Sequence, residues 1–253
     1  ILAMDQMLNN AAKWHFMFNG QSFVPSVIRV LVGRGLWQVP QHSQSLQALF
    51  AHIPGLKVVM PTTAYDAKGL LVAAIKDNNP VIFLEHRWLH NLASHVPKKI
   101  YSVPIGLSSI LHTGTDVTIA ATSYSAIESL AVAEMLKPIG ISVEVINIRS
   151  LKPFDDATII ASVTKTGRLL VVDTSWISYG ITGEIVSRVV EKLFAKLKVA
   201  PQRLGLPDVP IPTSPHLTRN LYPGKRDIAH LVYKLLGKNP REVDSLFADD
   251  ENT

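Results

Sequence analysis

The sequence predicts an α/β protein of two tandem three-layer α/β/α units, each with a mainly parallel sheet. Three observations predict it. The 253 residues suffice for two domains of ordinary size, and 47% of them are apolar, a globular composition. Residues 57–84 read strand, helix, strand, the pattern of a crossover between parallel strands. A second alternation of strands and helices begins at residue 117, after a stretch with little periodicity.

Each element rests on a local signal. Met4, Met7, Leu8, Ala11 and Ala12 recur at helical spacing, so 4–16 is read as a helix. Pro25 to Arg29 is a short β-rich run, and Gly33 and Gly35 mark a loop. A helix is predicted after His42, with Leu46, Leu49, Phe50 and Ile53 on one face and Pro54-Gly55 ending it. Lys57 to Met60 is a buried strand stopped by Pro61. Thr63-x-x-Asp66 has the form of a capping box and opens a helix bearing Leu70, Leu71, Ala74 and Ile75. Asn79-Pro80 closes that helix, and Val81 to Leu84 is the next strand.

Residues 91–115 carry Pro97, Pro104, Gly106 and Gly114 and read as irregular. In the second unit, strands are predicted at Val117–Ala121, Val143–Ile148, Leu169–Asp173 and Gln202–Gly205. Helices are predicted from Ser125 to about Lys137, with Ser125-x-x-Glu128 as the cap, and over 156–164, 183–198 and 226–236. The divisions are 1–95 for the first unit, 96–115 for a linker, 116–238 for the second unit, and 239–253 for an acidic tail expected to be disordered. No internal repeat is visible.

Composition narrows the function classes. The chain has no cysteine, which excludes disulfides, thiolate catalysis and Cys-ligated metals. The formal charge of +5 is scattered, with no run longer than a pair such as Lys98-Lys99. No basic stripe interleaved with aromatics argues for nucleic acid, although a phosphorylated small molecule or an acidic partner stays open. No apolar run reaches the roughly 18 residues of a membrane span. The start, ILAMDQMLNNAAK, has no basic leader.

Several residues could carry chemistry. His42 is expected immediately before a helix N-terminus, where a neutral imidazole could exchange a proton or could simply cap the helix. Ser43 could be the cap instead. His86 and His90 are four apart, a metal-ligand spacing without a third ligand, in a strand-end loop that could equally be solvated. Gly33-Arg34-Gly35 lacks the third glycine of a phosphate loop and reads as an ordinary loop. Ala74 to Asn79 ends a helix, where carbonyls collect that could hold a hard monovalent ion or be capped by water.

Longer motifs carry a resemblance over almost the whole chain. AMDQMLNNAAK, VPSVIR, QHSQSLQALFAHIPGLKVVMPTTAYDAKGLL and IKDNNPVIFLEHR lie in the first half; GTDVTIAAT, GISVEVINIRSLKPFD, TIIASVTKTGRLLVVD and PDVPIPTSP lie in the second. Together they resemble the beta subunit of the thiamine-diphosphate-dependent component of 2-oxo acid dehydrogenase complexes, in the transketolase superfamily. QHSQ and AIKDNNPVIFLE are closer to that branch than to transketolase or deoxyxylulose-phosphate synthase.

The resemblance implies a pyrimidine-binding domain followed by a transketolase-type C-terminal domain. It also implies an alpha subunit that holds the diphosphate and magnesium, an alpha2beta2 assembly with a second beta subunit, and a lipoyl acyltransferase that takes the acyl group of a small 2-oxo acid. Neither nucleic acid nor membrane is implied, and the compartment would be bacterial cytoplasm or, alternatively, the mitochondrial matrix. His42 corresponds to the family's active-site histidine and Phe16 to an aromatic residue near the pyrimidine. Ser26, Ala74, Ile75, Asp77 and Asn79 correspond to a structural potassium site.

Departures accompany the match. The family's activating glutamate lies upstream of the segment that begins at Ile1, and forty residues before Gln41 are too few to hold it. The acids of the first unit, Asp5, Asp66, Asp77 and Glu85, do not match it. Residues 30–35 replace a stretch richer in glycine and proline, and Thr174 and Tyr179 stand where an acid and a glycine are common. A catalytically degenerate assembly subunit, or a transferase or synthase using the same cofactor, are the alternative readings.

Overall fold

The structure, a computed structural model, describes residues 2–35, 38–218 and 221–252. Ile1 and Thr253, the ends of the first unit and of the tail, lie outside the described residues. The chain opens with a wide-pitch turn at Gln6–Ala11 that runs into α1 (Ala12–Met17). Then come β1 (Val27–Val32), α2 (Gln47–His52), β2 (Lys57–Val59), α3 (Ala64–Ile75) and β3 (Val81–His86). The remainder is β4 (Ser109–His112), β5 (Val117–Ala121), α4 (Ser123–Leu136), β6 (Val143–Asn147), β7 (Ser150–Lys152), α5 (Asp156–Thr166) and β8 (Leu169–Trp176). After these follow α6 (Ile181–Leu193), β9 (Gln202–Leu206), α7 (Pro215–Thr218) and α8 (Lys225–Leu235).

Two sheets result, ordered β1-β3-β2-β7 and β4-β6-β5-β8-β9. β1, β3 and β2 are parallel, as are β6, β5, β8 and β9, so the expected mainly parallel architecture is present. Parallel strands covered on both faces read as continuous apolar runs, and β5 and β6 are buried along their whole length. The strand period of two is still visible in what each residue touches. Val59, Val81 and Phe83 pack with Leu70 and Ala74 of α3, whereas Val58, Ile82 and Leu84 face the other way. That second face belongs to one continuous core with Ala120, Ile146 and Val171 of the second sheet and Val163 and Val189 of α5 and α6. The outer face of the second sheet packs against α4 and α8.

Several boundaries differ from the sequence reading for physical reasons. The predicted linker 96–115 contains β4, which pairs antiparallel with β6, and Val103, which is buried under α3. β7 lies inside the second unit's span yet pairs antiparallel with β2 of the first sheet. Three residues are too short to leave a periodic signal. α4 begins two residues before Ser125, whose hydroxyl bonds the carbonyls of Thr122 and Val172 and caps nothing.

The tail is not disordered over its described residues. Pro240–Asn252 forms a 3-10 helix, with Val243 and Phe247 buried in the second unit's core and Asp244 2.7 Å from His230. Acidity hid an apolar pair spaced four apart.

Candidate active site

His42 does not abut the helix as expected. Pro40–His42 forms a 3-10 turn, and four residues separate His42 from α2. Proline, with its preset φ and no N–H to satisfy, suits the first position of that turn. Backbone bonds from His42 N to Val39 O (3.0 Å) and Ser43 N to Pro40 O (3.2 Å) close it. Ser43 is no cap either; its buried hydroxyl donates to Val39 O at 3.2 Å. Along the segment Ser43, Ser45 and Gln47 are buried, while Gln41 and His42 are exposed. The imidazole makes no hydrogen bond within the described residues, so both ring nitrogens are open to exchange a proton with a bound molecule.

Two anchors fix the segment. Gly33 N donates to Gln44 O at 3.2 Å, tying it to the end of β1. Gln47 Nε2 reaches both carboxylate oxygens of Asp173 on β8, at 2.9 and 3.1 Å. Gly33 itself has φ +78°, and its α-carbon lies against the His86 ring so closely that a Cβ would meet Nε2 at 2.5 Å. The Gly33-Arg34-Gly35 stretch is therefore a packing loop over a histidine. His86 is fully buried between Trp88 and Tyr124, with Nδ1 accepting from Trp88 N and Nε2 unpartnered. Burial, aided by the nearby charges of His90 and Arg87, pushes this imidazole down to about 3. His90 instead faces Glu85 at 3.4 Å, so the His86/His90 pair does not converge on a metal.

Phe16 stands at the end of α1 with 88% of its surface exposed and no ring partner among the described residues. Its neighbours Met17, Phe18 and Phe23 are exposed too, an apolar strip at the N-terminal end. No hydrogen bond or ring contact joins Phe16 to His42 among the described residues.

Ala74, Asp77 and Asn79 are linked by hydrogen bonds where α3 ends, and Ser26 is bonded to Val81 at the start of β3. Ser26 O accepts from Val81 N at 2.9 Å, and Ala74 O accepts from Asp77 N at 3.2 Å. Asp77 Oδ1 accepts from Asn79 N and Nδ2 at 2.9 and 3.1 Å, and Oδ2 is ion-paired with Lys57. Burial alone would raise this carboxyl, but Lys57 and Asn79 outweigh it and hold it below the ordinary carboxylate value. Ile75 follows Ala74 at the helix end and is exposed.

The other acids of the first unit also have partners. Asp66 closes the capping box with Thr63 and binds Arg149 and Asn147, each at 3.0 Å. Glu85 Oε2 accepts from Arg29 at 2.8 Å, and Asp5 accepts from Asn9 at 2.7 Å. Sequence reasoning missed Gln47 and Asp173 as parts of the site, and marked His86 only as a possible metal ligand. The signal for Asp173 was its place at the carboxyl end of a parallel strand, where ligand crevices form.

Two domain families match the chain. "Transketolase, pyrimidine binding domain" covers residues 3–91 and "Transketolase, C-terminal domain" covers 106–228. The beta subunit of acetoin:2,6-dichlorophenolindophenol oxidoreductase from Cupriavidus necator is 41% identical over 93% of this chain and 70% of its own. The pyruvate dehydrogenase E1 component subunit beta of Rickettsia felis is 40% identical over 92% of this chain and 72% of its own. The chain belongs to this family of E1-type beta subunits.

A mitochondrial member from Oryza sativa subsp. japonica, pyruvate dehydrogenase E1 component subunit beta-2, is 43% identical over 89% of the chain and 61% of its own length. The fold has a solved counterpart in the split-gene transketolase, an inactive beta4 tetramer, with a TM-score of 0.70 and 22% identity over 93% of this chain and 74% of that one. The chain is thus the beta component of a thiamine-diphosphate-dependent enzyme family whose members have bacterial and mitochondrial forms. No described helix is long and apolar enough to cross a membrane.

Proposed function

We propose that this beta subunit acts with an alpha subunit in an alpha2beta2 assembly to decarboxylate a small 2-oxo acid oxidatively and pass the acyl group to a lipoyl acyltransferase. The observation that carries the reading is His42: an exposed imidazole with no hydrogen-bond partner among the described residues, on a segment pinned just beyond it at Gln44 and Gln47, in a chain of this family. When bound, thiamine diphosphate supplies the electron sink for decarboxylation. The exposed ring of Phe16 fits a stacking partner for its aminopyrimidine. His42 exchanges protons with the substrate oxygen at the mouth of the site. Magnesium and the diphosphate fall to the alpha subunit. Because Asp5, Asp66, Asp77 and Glu85 are all engaged, the activating carboxylate comes from outside these residues.

Of the residues matched to a potassium site, Ser26, Ala74, Ile75, Asp77 and Asn79, the Asp77 side chain is not free to hold the ion. Both oxygens of Asp77 are already taken, one of them by the ammonium of Lys57. We assign the positive charge of that cluster to Lys57. The melting temperature should then be the same in sodium and in potassium chloride; a rise specific to potassium would overturn the assignment.

The functional test is reconstitution with the alpha subunit and dye reduction driven by a panel of 2-oxo acids. His42→Ala should lower the rate by roughly 10²- to 10⁴-fold, the range for a positioned acid–base group. Its melting temperature should change little, since the ring is exposed and makes no hydrogen bond among the described residues. Wild-type turnover that survives this substitution would refute the role. A second reading, cleavage of a hydroxyketone, is favoured by the acetoin oxidoreductase relatives at 41% and 40% identity. Including acetoin in the panel separates the two. Absence of hydrogen–deuterium exchange at the thiazolium carbon of the assembled enzyme would instead favour an assembly subunit. The compartment we propose is bacterial cytoplasm, with the mitochondrial matrix as the alternative.

A further inference from the structure

Asp173 is an unusual carboxylate. It lies on β8 at 0% exposure, and no cation pairs with it among the described residues. Its partners are all neutral donors. Thr122 Oγ1 donates to Oδ1 at 2.5 Å, Thr174 N to Oδ1 at 2.9 Å, and Ser175 Oγ to Oδ2. Gln47 Nε2 forks across both oxygens. These donors fill the acceptor capacity of the carboxylate, so its burial leaves neither oxygen without a partner.

Three of the four partners come from the second unit, in the turn after β5 and along β8 itself. Gln47 alone comes from the first, 126 positions away in sequence. It too is fully buried, and its Oε1 has no partner. A buried amide that leaves its own oxygen unsatisfied is not at a local optimum for stability. Its geometry is dictated by the carboxylate. Gln47 opens α2, and among the described residues the stretch between it and His42 is held at Gln44 O by Gly33, at Leu46 O by the first turn of α2, and around the 3-10 turn by the Ser43 hydroxyl on Val39 O and Gln44 Nε2 on Gln41 O. Since the imidazole has no side-chain partner of its own, its position is set by this backbone.

We propose that Asp173 is a positioning residue for His42, acting through Gln47, so that the C-terminal unit sets the place of a histidine carried by the N-terminal unit. The catalytic consequence rests on the functional reading above; the positional claim does not. A shift near 1 Å in a reacting group is enough to cost on the order of 100-fold in rate. A purely structural role for Asp173 would instead affect the whole second unit equally.

The test uses the full chain with 13C-labelled histidine. Gln47→Met keeps the volume and leaves Asp173 its three other donors, and circular dichroism checks that the variant folds. The His42 Cε1–H resonance should shift and broaden, while those of His112 and His230 in the second unit stay in place. Gln47→Glu combined with Asp173→Asn reverses the amide and the carboxylate and should return the His42 signal to its wild-type position. In the assembled enzyme, Gln47→Met should lower kcat by on the order of 10- to 100-fold with KM little changed. An unmoved His42 resonance in Gln47→Met would overturn the proposal, as would movement of all three histidines together. If the resonance behaves as expected while wild-type enzyme shows no turnover, the functional reading fails and the positional one stands.

Discussion

His86 shows what burial does to a single titratable side chain. Its imidazole sits at about 3, so it stays neutral in the folded protein, whereas in the unfolded chain it takes up a proton near 6.5. Below pH 6.5 the unfolded state therefore binds the extra proton. The stability that follows is complete above 6.5 and drains away as pH falls toward 3, by about 1.4 kcal/mol per unit. Urea melts at pH 7.5 and 5.5 should show this loss, and His86→Phe should flatten the slope while keeping the stack on Tyr124 and Trp88. Equal slopes in the two proteins would count against it. The sequence marked His86 only by its distance from His90. Depth of burial depends on Gly33, fifty-three positions earlier, letting its backbone lie on the ring. His42, by contrast, could be singled out from its motif, although its setting as a turn and not a helix mouth could not.

Among the elements, the connection from α2 to β2 and the terminal 3-10 helix carry opposite lessons. Pro54-Gly55 was legible as a helix stop because its residues have local reasons to end one. The structure adds a second demand. Gly55 has φ +93°, and a Cβ there would lie 1.8 Å from the backbone oxygen of Ala12. Gly55→Ala should destabilise the chain by roughly 3 kcal/mol or more, combining left-handed strain with a clash that α1 must move to relieve. Thermal unfolding measures it, and a loss below about 1 kcal/mol, the scale of glycine entropy alone, would show that α1 yields easily. The terminal helix was misread because its charge masked Val243 and Phe247. Phe247→Ala removes a ring that is 2% exposed, beneath the Arg226 guanidinium at 5.7 Å. It should cost about 3–5 kcal/mol, the range for emptying a buried aromatic site. Unchanged stability would restore the original expectation of a loose tail.

On the scale of the molecule, polar hubs join the two units. Arg149 Nη1 binds Asp66 at 3.0 Å, Asn147 Nδ2 binds the other carboxylate oxygen, and Thr62 donates to Asn147 at 2.6 Å. Asp66 is nearly inaccessible, so Arg149→Met leaves a buried charge short of its cation and should cost roughly 3–5 kcal/mol. Because Asp66 and Arg149 lie in different units, tryptophan fluorescence and circular dichroism should shift to the same lower midpoint. Separate transitions would mean that the units unfold independently. The two-unit plan was readable because parallel strands and amphipathic helices announce themselves locally. The joins were not, since Asp66 with Arg149 and Gln47 with Asp173 pair residues more than eighty positions apart that no local periodicity relates. β7 has a consequence of the same kind for synthesis. The first sheet is closed on its β2 side only by residues 150–152, so a nascent chain carries an open strand edge until those residues have emerged. Exposed edges template unwanted pairing, which makes the interval between β2 and β7 the stretch of translation in which a chaperone would be needed most.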